Sequence, residues 1–557
     1  MYGTVATSRR RPGPADFLIG RRRLVAICVA LAALEAGILE LLHAGWAAGM
    51  APQVVAPAPF GVFHDLRWLV VYHRSLPAFF LELTALLVFR SALDALLVRE
   101  AWPAGLPRPS YLRAWSRTLA FTGVAAILLA PWVVLLFGLA VVSLSWLFFS
   151  AVPPVLAVAL LTNGGAVSAD WWRRTVPLAA VGWMALTFVV MSACGGVVSH
   201  DRGVWAVPVA AAGGLFNAWA WNGIVGAMTS ERRSRRFAPV APAGMAFLLA
   251  VVAGGTEIGF AVTSARAHDQ RVRAQQLAEA PRPAAGPPVL VASGYGTRWD
   301  GRSGPWLAGP FDEQRFSYRG LGPGGRPLAY APSDTSVSLV ALDGQMAAQV
   351  DALARRDHRR VSIVAASEGT LVAETYLARY PGAPVDQVVL VSPLVTPGRV
   401  YYPPPGSDGW GVVGREGLAA LSGALGGLSP LRVSPATPLF RSIVADAPLI
   451  QSVLACPPAG VRLAAVEPVA DAVASPDSPD PELPTVVVPA FHSGSLGNPD
   501  ADAAVRAILE NRPLPGSGGW STFEHVLRPV AAVWGVPQLA ASVNPAWASR
   551  SGSCGRR

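Results

Sequence analysis

The chain has 557 residues and a formal charge of +10, and all 45 of its basic side chains are arginine. That length suffices for two or more domains. Only 14% of residues are charged and mean hydropathy is positive, which is too apolar for a soluble protein of this size, so part of the chain is expected in lipid. The absence of lysine excludes Schiff-base chemistry, a P-loop lysine and a Ser-Lys dyad.

The charge is unevenly placed. Residues 1–287 hold 24 Arg against 13 acids, and residues 288–557 hold 21 Arg against 22 acids. The excess falls in the apolar half, where Arg clusters flank hydrophobic runs. This is the pattern of membrane topology and not of a nucleic-acid footprint.

Seven apolar runs approach the roughly 20 residues that a span requires: about 24–44, 77–97, 118–138, 140–161, 176–195, 204–228 and 243–264. The third and fourth form one long apolar stretch, divided here near Gly138. Arg9 to Arg11 and Arg21 to Arg23 precede the first run, and Arg99, Arg108, Arg113 and Arg117 lie between the second and third. Arg173 and Arg174 precede the fifth, and Arg232, Arg233, Arg235 and Arg236 separate the sixth and seventh. With seven spans these groups share one side, so the N-terminus is expected in the cytosol and residues beyond about 265 outside. Arg266, Arg271, Arg273 and Arg282 follow the last run on the outer side; long domains translocate largely regardless of charge. A cleaved signal peptide is an alternative for the first run, but its length and its Glu35 and Glu40 favour a retained helix.

Glu35, Glu40, Glu82, Arg90, Asp94 and Glu257 fall inside expected spans. Such groups either mark an ion or substrate path or pair between helices. Arg90 and Asp94 are one turn apart and can pair locally.

The chain divides into a membrane domain over 1–264, a linker over 265–287, an α/β domain over 288–540 and a tail over 541–557. The linker ends in the Pro-rich run from Ala280 to Pro288, which marks a domain boundary. Beyond it, short apolar runs alternate with helical segments. The runs are 289–292, one around Phe316 to Tyr318, 361–365, 388–391, 461–466 and 485–488. Helices are expected over 336–356, from Ser367 to Tyr380 and over about 523–534. This alternation argues for a mostly parallel sheet, whose site would lie at the carboxyl ends of its strands.

The segment Ala365-Ala366-Ser367-Glu368-Gly369 joins the third run to a helix. Small neighbours allow a sharp strand-to-helix turn that lifts a serine Oγ above the sheet. In this setting the sequence resembles the α/β-hydrolase superfamily over about residues 288–540, with Ala365 in place of the first Gly of G-x-S-x-G, as in the A-x-S-x-G of some small bacterial lipases.

The resemblance implies an α/β-hydrolase fold in which the insertion 396–455 forms a cap; the alternative for that Pro- and Gly-rich insertion is an irregular surface loop. It implies Ser367 as nucleophile, Asp471 as acid and His492 as base, in the family's chain order. Glu467 is the rival acid, and Asp477 and Asp480 lie in a Pro/Ser loop. His358 precedes the serine, and His525 falls in the last helix. It further implies an oxyanion hole from the N–H of Glu368 and of Tyr295, in the Ser293-Gly294-Tyr295-Gly296 loop.

The expected activity is cleavage of carboxylic esters through an acyl-enzyme, at a membrane, on a small-molecule or lipid ester. An acyltransferase with the same triad, an inactive hydrolase-fold binding or sensory module, and a transporter with an accessory domain are the rivals. No cofactor, metal or nucleic acid is expected, since the four cysteines show no CxxC spacing. Cys28 and Cys194 are expected as small core residues. Cys456 and Cys554 either pair, if the domain lies outside, or remain free thiols.

Overall fold

The computed structural model describes residues 20–142, 177–200, 203, 205–229, 286–302, 307, 310–394, 397–425, 434–470, 483–492 and 495–547. They form two compact units. The first comprises Met1–Asp65, Thr84–Ala126 and Ala157–Ala246, and the second Leu66–Leu83, Ile127–Leu156 and Phe247–Arg557.

The helices of the N-terminal half are α1 (Arg22–Leu41), α2 (Phe60–Val71), α3 (Leu76–Glu100), α4 (Tyr111–Val142), α5 (Leu178–His200) and α6 (Ala206–Thr229). A 3-10 helix over Gly45–Val55 precedes α2. Among the described residues three segments are long and apolar enough to cross a membrane: Arg22–Leu41, Tyr111–Val142 and Gly182–Ser199. Of the seven expected runs, three are matched by these segments among the described residues. Helix α3 has the length, with 25 residues, but carries Glu82, Arg90 and Asp94. Helix α6, with 24, is continuous but includes Asn217, Asn222 and several glycines, which lower its apolar character. The run 243–264 and the bulk of 140–161 lie outside the described residues. The division at Gly138 is not seen either: α4 runs unbroken through it, and also through Pro131.

In the first unit several buried ionisable groups pair across elements, whereas Asp94 is buried with neither carboxylate oxygen hydrogen-bonded among the described residues. Arg90 donates from Nε to Asp65 Oδ2 at 2.7 Å and from Nη2 to Asp65 Oδ1 at 2.6 Å. His64 lies between Asp65 Oδ1 at 2.9 Å and Glu35 Oε1 at 2.8 Å. The local Arg90–Asp94 pair that the sequence allows does not form. Asp65 presents both oxygens to the guanidinium in a two-point geometry that Asp94, on the same helix, does not match.

The second unit is built on six parallel strands: β1 (Pro288–Ala292), β2 (Asp312–Arg315), β3 (Val361–Ala366), β4 (Val385–Val391), β5 (Arg462–Ala470) and β6 (Thr485–Phe491), in the order β2-β1-β3-β4-β5-β6. Side chains alternate between faces. Leu290, Ala292, Ile363, Ala365, Val388 and Leu390 face one layer, with α7 (Leu339–Asp357), α8 (Glu368–Arg379) and α10 (Pro438–Ala455). Val289, Val291, Val364, Ala366, Val389 and Val391 face the other, with α11 (Pro499–Leu509). Burial on both faces explains why these strands read as continuous apolar runs.

Strand β2 departs from the expected position. It is the polar segment Asp312–Arg315, half-buried at the sheet edge. Phe316 and Tyr318, which suggested a strand, are buried where the chain turns in behind it. Helix α11 has no apolar run to announce it, but its start was legible: Asn498 caps it, accepting from Asp500 N at 2.9 Å and Ala501 N at 3.2 Å, with Pro499 at the first position.

The insertion holds helices and not an irregular loop over its described part: α9 (Val412–Leu425) and α10. Leu418 of α9 meets Gly138 of α4, and Gly414 meets Phe137. Gly398 N donates to Val141 O at 2.8 Å. Helix α12 (Trp520–Ala532) packs on β5 and β6. Cys456 is disulfide-bonded and Cys28 and Cys194 are free; Cys554 lies outside the described residues.

Candidate active site

Strand order reverses at β1: β2 pairs on one side of it and β3 on the other. In open α/β sheets the crevice beyond the carboxyl ends of the strands at such a switch point is where ligands bind. Gly294 follows β1 and Ser367 follows β3, so the two loops flanking the switch point carry the residues singled out from the sequence.

Ser367 has φ 53° and ψ −120°, a conformation that costs a non-glycine residue of the order of 1–3 kcal/mol and persists only where the surroundings enforce it. The enforcement is visible. Ser367 N donates to Val391 O at 3.0 Å, and Thr370 N donates to Ser367 O at 2.9 Å. All residues from Glu368 to Leu377 are buried, so α8 is held on every side. Its fit against β1 requires Gly369, because a Cβ there would stand 2.9 Å from Ala292 O. Ala365, at the first-Gly position of the motif, is fully buried without displacing the turn.

Ser367 Oγ lies 2.7 Å from His492 Nε2. His492 directly follows β6 and is held from behind: Ser495 Oγ donates to His492 O at 3.0 Å and shares a hydrogen with Ser392 Oγ at 2.6 Å. Ser392 itself sits at φ 51°, just past β4. Sequence reading missed this pair. The signal was weak, two serines 103 residues apart, each one step beyond a strand or its following turn.

Gly294 backs onto the serine. A Cβ at that position would lie 2.9 Å from Ser367 Cβ and 3.2 Å from its Oγ. Its loop is fixed by the Tyr318 hydroxyl donating to Ser293 O, by Ser293 Oγ and Tyr330 Oη at 2.7 Å, and by Gly296 N donating to Thr335 Oγ1 at 2.9 Å. The Tyr295 ring stands edge-on to Phe440 of α10, with centroids 5.7 Å apart.

Glu368 opens α8, where the first N–H groups of a helix have no intrahelical partner. Its side chain is buried at 2% exposure, and neither carboxylate oxygen has a hydrogen-bond partner among the described residues. Burial pushes this carboxyl well above the usual carboxylate range.

Of the two acid candidates, Glu467 is in β5 and meets Arg528 Nη2 at 3.3 Å; Arg528 also meets Glu524 at 2.5 Å. Strand β5 is longer than expected and ends at Ala470, whose register partner is Phe491. In sequence, Asp471 follows Ala470 and His492 follows Phe491. Asp471, with Asp477 and Asp480, lies outside the described residues. His358 caps α7 at φ 52° and is exposed, and His525 is on the exposed side of α12. Among the described residues no group of three or more His, Cys, Asp or Glu is placed to hold a metal ion.

A hydroxyl held by an imidazole on a strained strand-to-helix turn, beside a glycine loop and a helix N-terminus, has the parts required for nucleophilic attack on a carbonyl. Comparisons with family models, with curated proteins and with solved structures gave no match.

Proposed function

We propose that this protein is a membrane-anchored serine hydrolase of the α/β-hydrolase type that cleaves carboxylic esters. The observation that carries this reading is the 2.7 Å contact between Ser367 Oγ and His492 Nε2, made by residues 125 positions apart from a backbone conformation that serine does not adopt without enforcement.

In the proposed reaction Ser367 Oγ attacks the ester carbonyl carbon while its proton passes to His492 Nε2. The N–H groups of Glu368 and Tyr295 receive the oxyanion. Collapse breaks the bond to the alcohol, which leaves with the proton from His492. Water, deprotonated by His492, then attacks the acyl-enzyme and releases the carboxylic acid, with the proton returned to Ser367. Asp471 is the proposed acid that orients the imidazole. Supporting it are the Ala470 to Phe491 register and the engagement of Glu467 by Arg528.

The sheet unit is proposed to lie outside the cytosol and the N-terminus within it. Helix α4, of membrane-crossing length, ends in a segment belonging to the sheet's compact unit, whereas Arg113 and Arg117 lie near its start. The positive-inside rule puts those arginines in the cytosol. The disulfide at Cys456 fits an oxidising compartment.

The test is labelling of the membrane-embedded protein with a fluorophosphonate probe. The native chain is expected to take the label, and Ser367→Ala and His492→Ala to lose it; an unlabelled but folded native protein removes the proposal. For orientation, protease added to intact cells is expected to digest the sheet unit, and protection of that unit reverses the assignment.

A further inference from the structure

Helix α12 is amphipathic in the reverse sense for a helix lying on a sheet. Its buried side carries charge: Glu524 and Arg528 are 3% and 7% exposed, and Arg528 meets both Glu524 and Glu467 of β5. Its outward side carries Trp520, Phe523 and Val526, at helical spacing and 44%, 48% and 59% exposed. The two rings stand edge to face, with centroids 6.3 Å apart. Leu514 adds a further exposed apolar side chain on the approach to the helix. Scattered exposed apolar residues need no explanation, but an aromatic cluster on one helix face does.

What covers this face is indicated within the same compact unit. The chain leaving α12 is fastened to the segment that leads into α3. Arg67 donates to Val533 O and Gly535 O, both at 2.8 Å, and Tyr72 donates to Gln538 O at 2.6 Å. A few residues on, Phe80 and Leu81 of α3 are 60% and 73% exposed. The unit also contains the end of α4, a helix of membrane-crossing length, whose Ile127 is 74% exposed. The exposed apolar residues of α12, of the start of α3 and of the end of α4 thus belong to one compact unit, which includes part of a membrane-length helix. Trp and Phe are the side chains that settle at the boundary of headgroups and acyl chains.

We infer that α12 lies in the bilayer interface, with Trp520, Phe523 and Val526 in lipid, and that the ester acted on is carried by the membrane. The second half rests on the proposed hydrolase activity. It follows from place: α12 packs on β6, and His492 is the next residue after β6, so an acyl lipid leaving the bilayer beside α12 meets the edge of the sheet that bears the base. The buried Glu524–Arg528–Glu467 cluster fixes the rotation of the helix, since turning the apolar face inward would expel it.

The experiment uses the full chain in phosphatidylcholine/phosphatidylglycerol nanodiscs. Phe523→Cys is labelled with an environment-sensitive fluorophore, with the unsubstituted chain labelled in parallel. Blue-shifted emission that is quenched by lipids brominated in the upper acyl chain is expected. Emission characteristic of water, or shielded emission that brominated lipid does not quench, overturns the interfacial placement; the second points to a protein or a second copy on this face.

The triple variant Trp520→Ser, Phe523→Ser, Val526→Ser then separates the two halves of the inference. Turnover of a short water-soluble p-nitrophenyl ester is expected to stay within twofold, while turnover of a bilayer-embedded acyl ester falls fivefold or more. Equal loss on both substrates, or loss on neither, overturns the delivery role. A native chain that hydrolyses neither ester and takes no fluorophosphonate refutes the hydrolase reading alone, and the fluorophore still decides whether α12 meets lipid.

Discussion

Two polar clusters in this molecule invite a functional reading, and they differ in kind. In the helical unit, Glu35, His64, Asp65 and Arg90 form a chain in which each side chain hydrogen-bonds the next. In the sheet unit, Ser367 meets His492 from a strained backbone, beside a glycine whose missing Cβ leaves the approach to Oγ open. The first arrangement is self-satisfied and answers the cost of burying charge. The second spends stability on a conformation that holds a serine hydroxyl against an imidazole. Ionisable residues in a hydrophobic setting are thus a poor guide to chemistry by themselves, and strain next to a hydrogen-bonded base is a better one.

The largest effect tests the second cluster. Ser367→Ala and His492→Ala are each expected to lower kcat for a soluble ester on the order of 10⁴-fold or more, and the double variant little further, because the two act as one unit. Kinetics that multiply across the two variants would show independent roles.

Next comes the first cluster. Arg90→Ala leaves Asp65 buried without its guanidinium and is expected to cost about 3–5 kcal/mol, read as thermal unfolding of the helical unit in detergent. The pair Asp65→Leu, Arg90→Met is expected to recover much of this loss. If Arg90→Ala leaves the melting curve in place, the cluster is not what holds these helices together.

Gly294→Ala sharpens the contrast. A methyl 2.9 Å from Ser367 Cβ must displace the serine, and a displacement of the order of 1 Å costs about 10²-fold in rate. Stability is expected to change little, so kcat and the melting temperature should separate. Parallel losses in both would mean that the loop is structural only.

A smaller effect concerns Glu374, fully buried in α8 with neither carboxylate oxygen hydrogen-bonded among the described residues. Burial raises its carboxyl well above the usual range. The unfolded chain then releases this proton at a lower pH than the folded one, so stability is full below the ordinary carboxylate value and declines as pH rises toward the folded value. Glu374→Gln is expected to flatten that alkaline decline in a melting series across pH. An unchanged slope assigns the decline to other groups.

The smallest expected effect is Ser495→Ala, which removes the hydroxyl held to His492 O and Ser392. A loss of about 1 kcal/mol and a severalfold fall in kcat with KM unchanged would mark it as a positioning residue. A change in KM alone would place it elsewhere.

By itself, the sequence determined the α/β alternation, five of the six strands to within a few residues, and the serine and histidine that the fold brings to 2.7 Å. Those features are written locally, in apolar runs buried on both faces and in the small residues a sharp turn requires. It also marked Gly294 and Glu368 by their places after β1 and at the start of α8. Tertiary structure alone decided the rest. Strand β2 is polar because it lies at an edge, so hydropathy passed it over. Arg90 chose Asp65 over the nearer Asp94 because a two-point geometry across helices outweighs proximity along one. Glu467 meets Arg528, 61 residues away, a contact that nothing local in the sequence announces. The reversed face of α12 could be recognised only once its charged side was seen buried. Periodicity reports that a helix has two faces; what each face meets is settled by the elements that long-range folding sets beside it.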